Sequence, residues 1–429
     1  MKRKQLYHKR QIGTHQLSPQ TLMMSYGYDP KLSEGAVKPP LFLSSTFVFA
    51  TAEDGARFFD ITSGRVRPGD NEASGLVYSR FNNPNLEMLE DRIALLDGTD
   101  DALVFSSGMS AIGTVALAFL KPGMSVVISK PIYGGTSSMF ASLIPNLGIH
   151  VVPMTDGMSV GGITEALNEA SRHGPLGMVL IETPANPTNT LVDIGLVAGQ
   201  CAQHGMRDGH RPVLVVDNTF LGPIYQPAMK FGADLVAYSV TKYMAGHSDL
   251  VAGAVAGRED LVMTVRKMRG LLGTQLDPHS SWLIGRSLET LGLRMERSNQ
   301  SARLIADYMR QHPMIEHVNY LGFLPPDSPE GKLFAHQCKS PGSTFSFTIK
   351  GGGRDLAFRI LNRFQLIKLA VSLGGTESLV CHPASTTHSG IAPQEREELG
   401  ITEGTIRLSI GIEDPDDLLA DIEQALNVV

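Results

Sequence analysis

Cysteine is scarce in this chain, with only Cys201, Cys338 and Cys381 among 429 residues. They are odd in number, far apart and outside any CxxC or His-spaced pattern. That gives no disulfide framework and no zinc site, so no metal is expected and the compartment reads as reducing, the cytoplasm. Charge of one sign is lacking too: 37 Lys and Arg against 43 Asp and Glu leave a formal net charge of −6. Such a field gathers neither nucleic acid nor an anionic membrane. Long apolar runs are missing. The longest, such as residues 111 to 120, stop at about ten residues where a membrane span needs about 20. The opening MKRKQLYHKR is basic but has no apolar core, which argues against a secretory signal and for a solvated arm.

What is present suffices for one large or two medium domains: 42% hydrophobic residues, with 44 Gly and 25 Pro. From Lys31 to Thr51 the text is Pro-rich and then β-rich, and a polar, Gly-containing segment follows to Gly75. It does not read as a compact unit, so residues 1–80 are expected to form an arm leaning on another subunit. Leu86, Leu89, Ile93 and Leu96 then repeat at helical spacing. After them come seven apolar runs: Ala102 to Phe105, Ser125 to Ser129, His150 to Pro153, Met178 to Glu182, Val213 to Asp217, Leu235 to Ser239 and Val251 to Ala256. Helix-length segments such as Ser110 to Leu120 separate most of them. Continuous rather than alternating apolar strands between helices predict an α/β domain over 81–280, with a mostly parallel sheet covered on both faces. In such sheets ligands collect at the carboxyl ends of the strands. From Ser281 a long helical pattern over 282–312 leads into short strands and helices, predicting a smaller α+β domain over 281–429.

The chemistry is expected at the strand ends. Lys242 follows one buried run in a loop of Ser, Thr, Gly and His and precedes another. Desolvation there lowers the amine pKa and makes it a nucleophile able to form a Schiff base, whereas an ordinary lysine would run its stem out to solvent. The SSGMSAI turn, with Gly108 and Met109, opens a helix whose free N–H groups can cradle a phosphate, and tight-turn packing is the plainer alternative. Ser239 and Thr241 add two hydroxyls. Asp217 ends PVLVVD, either as a functional carboxylate or as a turn former. A phosphate, a ring nitrogen that needs a carboxylate and an aldehyde that needs a lysine together describe pyridoxal 5′-phosphate. Tyr133 could stack on such a ring or be an ordinary half-buried aromatic. Arg407, inside a β-like run, needs an anionic partner, either a substrate carboxylate or a structural salt bridge.

The motifs YSRFNNP, SSGMSAI, YGGT, ETPANPT, VVDNTF, SVTKYMAGHSD, LRMER, VSLGGTESL, HPASTTH and RLSIGIE occur in that order. With them the chain resembles the Cys/Met-metabolism family of pyridoxal-phosphate enzymes, from about Gly35 to Val429. That family includes methionine γ-lyase, cystathionine γ-lyase, cystathionine γ-synthase and the homoserine-ester sulfhydrylases. The resemblance implies pyridoxal-phosphate fold type I, with Lys242 carrying the cofactor and Asp217 at the pyridinium nitrogen. It implies Tyr133 stacked on the ring and acting as acid toward the leaving group, Gly108, Met109, Ser239 and Thr241 at the phosphate, and Asn186 by the ring oxygen. Arg407 and Ser372 would hold the substrate carboxylate. Tyr78 and Arg80 would reach the phosphate of the neighbouring subunit, in a dimer or a tetramer of two dimers.

Within the family two positions point different ways. Val371 falls where cystathionine-handling relatives carry an acid, and an apolar residue there resembles methionine γ-lyases. Gly135 falls where those lyases carry Cys, and YGGT and HPASTTH resemble the synthases and sulfhydrylases. The segment Arg65 to Ser74 is longer than is common and would border the neighbouring active site. The reading leans to γ-elimination on a methionine-like amino acid, with γ-replacement as the alternative. An aminotransferase on the same fold is more distant, because it would lack the YSR and HPASTTH motifs.

Overall fold

A computed structural model describes residues 9–62, 65–67, 69 and 75–427. The first eight residues of the basic start, and most of segment 65–74, lie outside the described residues.

All seven apolar runs are strands of one sheet: β1 (Asp101–Phe105), β2 (Ser125–Ser129), β3 (His150–Met154), β4 (Leu176–Glu182), β5 (Val213–Asp217), β6 (Leu235–Tyr238) and β7 (Gly253–Gly257). Their order is β1-β7-β6-β5-β4-β2-β3. Only β7 runs against its neighbours β1 and β6. Alternate residues feed opposite cores: Val104, Val179, Ile181 and Val216 point into one, Phe105, Met178, Leu180 and Val215 into the other. With apolar packing on both faces the inner strands cannot alternate with polar residues, which is why their runs are continuously hydrophobic; the edge strand β3 is the exception, with His150 and Pro153 exposed.

Helix α1 (Pro84–Asp97) is capped by Asn83, whose side chain accepts from the Asn85 N–H, and its apolar stripe of Leu86, Leu89 and Ile93 lies in the first core. Helix α2 (Gly108–Phe119) starts three residues after β1 ends, held by a reciprocal Ser107/Ser110 capping box. Its N-terminus therefore faces the strand tips.

The C-terminal part builds a second sheet of five strands, β8 (Ile315–Asn319), β9 (Thr344–Ile349), β10 (Lys368–Leu369), β11 (Leu379–Cys381) and β12 (Thr405–Ser409), in the order β8-β9-β12-β11-β10. The expected long helix over 282–312 is two, α3 (Pro278–Leu288) and α4 (Leu291–Gln311). The reason is Arg294. Its guanidinium takes the Ser287 carbonyl at 3.0 Å and the Tyr243 carbonyl at 2.8 Å, entering the helical ladder where the break occurs. Helix α4 then spans two cores: Leu291 and Met295 pack with the large sheet, Ala302, Ile305, Ala306 and Met309 with the small one.

Near the N-terminus Leu22, Met23 and Tyr26 join the core beside α1. Residues Ala52–Thr62, read from sequence as part of a polar connecting segment, form a helix that buries Phe58. Between these, Val37 and Val48 are 82% and 95% exposed, so no described residue covers those two side chains.

Candidate active site

Because β2, β4, β5 and β6 are parallel, their carboxyl ends lie along one edge and bring Tyr133, Glu182, Asn186, Asp217 and the Ser239–Lys242 loop together. The second sheet supplies Ser372 and Arg407. Nζ of Lys242 donates to Oγ of Ser372 at 3.1 Å. Burial, and then the like charge of Arg407, push its pKa down to about 8. Ser372 has φ of 128°, a conformation that L-residues avoid. That strain turns its two oxygens to two partners, Oγ toward Lys242 and the carbonyl to Nη2 of Arg407 at 2.6 Å.

Arg407, only 2% exposed, also donates from Nη1 to Oδ1 of Asn186 at 3.0 Å. An arginine can only donate, so this bond orients the Asn186 amide and leaves its NH2 to act as a donor elsewhere. The Asn186 carbonyl accepts from Nε2 of His388 at 3.1 Å. His388 is fully buried, and burial followed by the Arg407 charge push its pKa down to about 4, so it is neutral. Arg407 pairs with no carboxylate among the described residues, and its buried Nε has no hydrogen-bond partner among them. The structural salt bridge considered from sequence is thus not what holds it.

Asp217 makes the turn that one of its two sequence readings expected. Its Oδ1 accepts from the Thr219 N–H at 3.1 Å and the Thr219 hydroxyl at 2.5 Å, as a turn former does. It also stays buried, and desolvation raises its pKa. The Thr219 hydroxyl accepts from the Ser239 N–H at 2.9 Å, and the Ser239 carbonyl from the Lys242 N–H at 3.1 Å. A short chain of bonds therefore links Asp217 to the lysine loop. Gly108 meets that loop closely: a Cβ there would lie 3.0 Å from Ser239 Cα. Met109 sits beside it, its sulfur 3.8 Å from the Thr136 hydroxyl. Thr241 is turned otherwise than the phosphate expectation implied, since its hydroxyl donates to the Ala252 carbonyl and accepts from the Ala252 N–H.

Tyr133 is 40% exposed at the N-terminus of a short helix, Gly134–Ser138. A Cβ at Gly135 would stand 2.6 Å from its Cε1, so the ring occupies the space that glycine leaves. The Tyr133 N–H donates to Oε2 of Glu182 at 2.6 Å, and the Asn186 N–H to Oε1 at 2.8 Å. Sequence reasoning passed over Glu182 and His388. The signal for Glu182 was available: like Asp217, it is a carboxylate ending a wholly apolar strand. Burial, and then the charge of Asp217, push its pKa up to about 8.

Val371 is 55% exposed next to Ser372. Tyr78 lies in an isolated bridge with Thr46, and Arg80 is turned onto the Gly270 carbonyl and the face of Phe81, so both are outside this cluster of bonds. No group of His, Cys, Asp and Glu among the described residues could hold a metal, and no described helix is long and apolar enough to cross a membrane.

These residues fit pyridoxal 5′-phosphate. The buried Nε of Arg407 lacks a partner, the α2 N-terminus and Gly108 form a cradle under Ser239, and a low-pKa amine shares the strand edge with a buried carboxylate. Comparison with known proteins agrees. A family model described as Cys/Met metabolism PLP-dependent enzyme matches residues 20–427. An L-methionine gamma-lyase of Pseudomonas deceptionensis is 39% identical over 95% of this chain and 97% of its own. An O-succinylhomoserine sulfhydrylase of Pseudomonas aeruginosa is 35% identical over 92% of this chain and 91% of its own. The crystal structure of cystathionine gamma synthase from Xanthomonas oryzae pv. oryzae, in complex with aminoacrylate and cysteine, superposes with a TM-score of 0.84 at 34% identity, covering 96% of this chain and 98% of that one. The chain belongs to the Cys/Met metabolism family of pyridoxal-phosphate-dependent enzymes.

Proposed function

We propose that this enzyme is a γ-eliminating carbon–sulfur lyase that converts a methionine-like amino acid and water to 2-oxobutanoate, ammonia and a thiol. Pyridoxal phosphate, when bound, supplies an aldehyde for the amino group and a ring that takes up the electrons left when the Cα proton departs. Lys242 is the residue that holds the cofactor and then accepts the Cα proton at Nζ, an amine poised near neutral pH. Arg407 binds the substrate carboxylate through its unpartnered edge, with Ser372 beside it. Asp217 holds the proton on the ring nitrogen, and the Asn186 NH2 donates to the ring oxygen. Gly108, Met109 and Ser239 hold the phosphate, with Thr241 turned to Ala252. Tyr133 gives its proton to the leaving sulfur.

The observation that carries elimination from a methionine-like substrate is Val371, an apolar, half-exposed residue directly before the serine that touches Lys242. An acid there would favour a distal ammonium, and valine favours an uncharged tail. Gly135 favours the second reading, γ-replacement, because it leaves the Tyr133 ring unobstructed in the manner of the synthases. Feeding L-methionine, L-cystathionine and O-acyl homoserines, each with and without sulfide or cysteine, separates the two. The lyase reading expects 2-oxobutanoate and thiol from methionine alone. Thioether formation from an O-acyl homoserine with no methionine breakdown would replace it.

The division into an arm (1–80), a cofactor domain (81–280) and a small domain (281–429) belongs to the same reading. So does a dimer sharing active sites through Tyr78 and Arg80, paired into a tetramer. Support comes from the uncovered Val37 and Val48 and from the half-exposed Tyr78. Three buried free thiols support a cytoplasmic location.

A further inference from the structure

We infer that Glu182 is the positioning residue that fixes Tyr133 and Asn186 relative to one another. Strand β4 lies between β2, which leads to Tyr133, and β5, which ends at Asp217. Glu182 is its last residue, 4% exposed, with its own N–H donated to the Ser129 hydroxyl at 2.9 Å. One carboxylate thereby receives the Tyr133 N–H on Oε2 and the Asn186 N–H on Oε1. No cation pairs with it among the described residues. Both oxygens of this carboxyl group accept, charged or protonated, and an amide in its place could not do the same because its nitrogen only donates.

The two loops differ in how else they are held. Asn186 is tied down further by His388 and Arg407. The Tyr133 side chain makes no hydrogen bond among the described residues, so its ring direction depends on its backbone anchor and on the space at Gly135. Through Glu182, the well-fixed Asn186 loop becomes the reference for the loosely held Tyr133 loop. This rests on the proposed role of Tyr133 as proton donor.

Glu182→Gln keeps the shape but can accept on one side only, so it tests the anchor. In the holoenzyme, hydrogen exchange should rise in residues 131–138 and 183–190 and stay unchanged in the small-sheet strands. The kcat for elimination should fall about 100-fold, the scale of an ångström-size misplacement, while KM moves less than about threefold. In a Tyr133→Phe background the same change should cost almost nothing. Equal fold-losses in both backgrounds, or a lower Tm and cofactor content with kcat per bound cofactor unchanged, would make Glu182 structural only and overturn the inference. Should Glu182→Gln not fold, Ser129→Ala removes the acceptor of the Glu182 backbone N–H and loosens the residue that carries the anchor; unaltered exchange at 131–138 would then be the overturning result. A wild-type protein that eliminates no substrate would instead sink the functional reading, and the exchange measurement would still judge the anchor.

Discussion

Glu182 and Asp217 are Cα partners at the tips of adjacent parallel strands, so two buried carboxyl groups stand side by side at the site. Their electrostatics give the first prediction. Burial and then Asp217 raise Glu182 from 4.5 to about 8, so between those values the folded apoprotein binds more protons than the unfolded chain. Its stability should fall as pH rises through that window. Asp217→Asn removes the charge contribution, so the fall should be shallower in denaturant titrations of the apoprotein at a series of pH values. The same variant should lose about 100-fold or more in kcat, because a neutral amide does not hold the ring proton.

Lys242 gives a prediction of opposite sign. Its amine is protonated below about 8, and only the neutral form attacks an aldehyde. Recapture of pyridoxal phosphate by the apoprotein should quicken with pH and level off near that value, followed by absorbance. Arg407→Met removes the like charge and should move the plateau upward. Lys242→Ala should abolish the colour of the Schiff base and cost about 100- to 10,000-fold in turnover.

Arg407→Lys keeps the charge and loses the fork. Lysine cannot satisfy Asn186 Oδ1, the Ser372 carbonyl and a substrate carboxylate together. Loss of a charge-assisted bond is worth about 1.5–3 kcal/mol, so KM for the amino acid should rise about 10- to 100-fold in steady-state kinetics.

Ser372→Gly separates stability from function. At φ of 128° a non-glycine residue costs about 1–3 kcal/mol, while glycine costs about 0.5–1 kcal/mol through the unfolded chain. The variant should be about 1 kcal/mol more stable in thermal melts. It also loses the oxygen that receives Lys242 Nζ, and kcat/KM should fall about tenfold. A serine kept in a strained conformation at the expense of stability is expected at a working site.

Much of this enzyme could be read before folding it. Six strands of the large sheet are buried on both faces, a local condition that leaves an uninterrupted apolar run, and the edge strand β3 kept enough of that pattern to be visible too. Lys242 and Asp217 each had an ordinary reading, a stem run out to solvent and a turn former, and they stood out through the company they keep: a phosphate-cradle turn and hydroxyls at the same strand ends. The break between α3 and α4 was not visible, because it depends on Arg294 reaching carbonyls of Ser287 and Tyr243. Glu182 carried the same strand-end signal as Asp217, but the two N–H donors it receives lie on separate loops that only the fold brings together. The sequence alone determined the strands, the lysine loop and the cofactor chemistry, since those follow from local burial and residue type. Only the tertiary structure decided that Ser372, 130 residues on, receives the Lys242 amine, and that Arg407 is buried without a carboxylate. Both depend on how a second sheet with its own core seats against the first, a packing outcome that no run of neighbouring residues encodes.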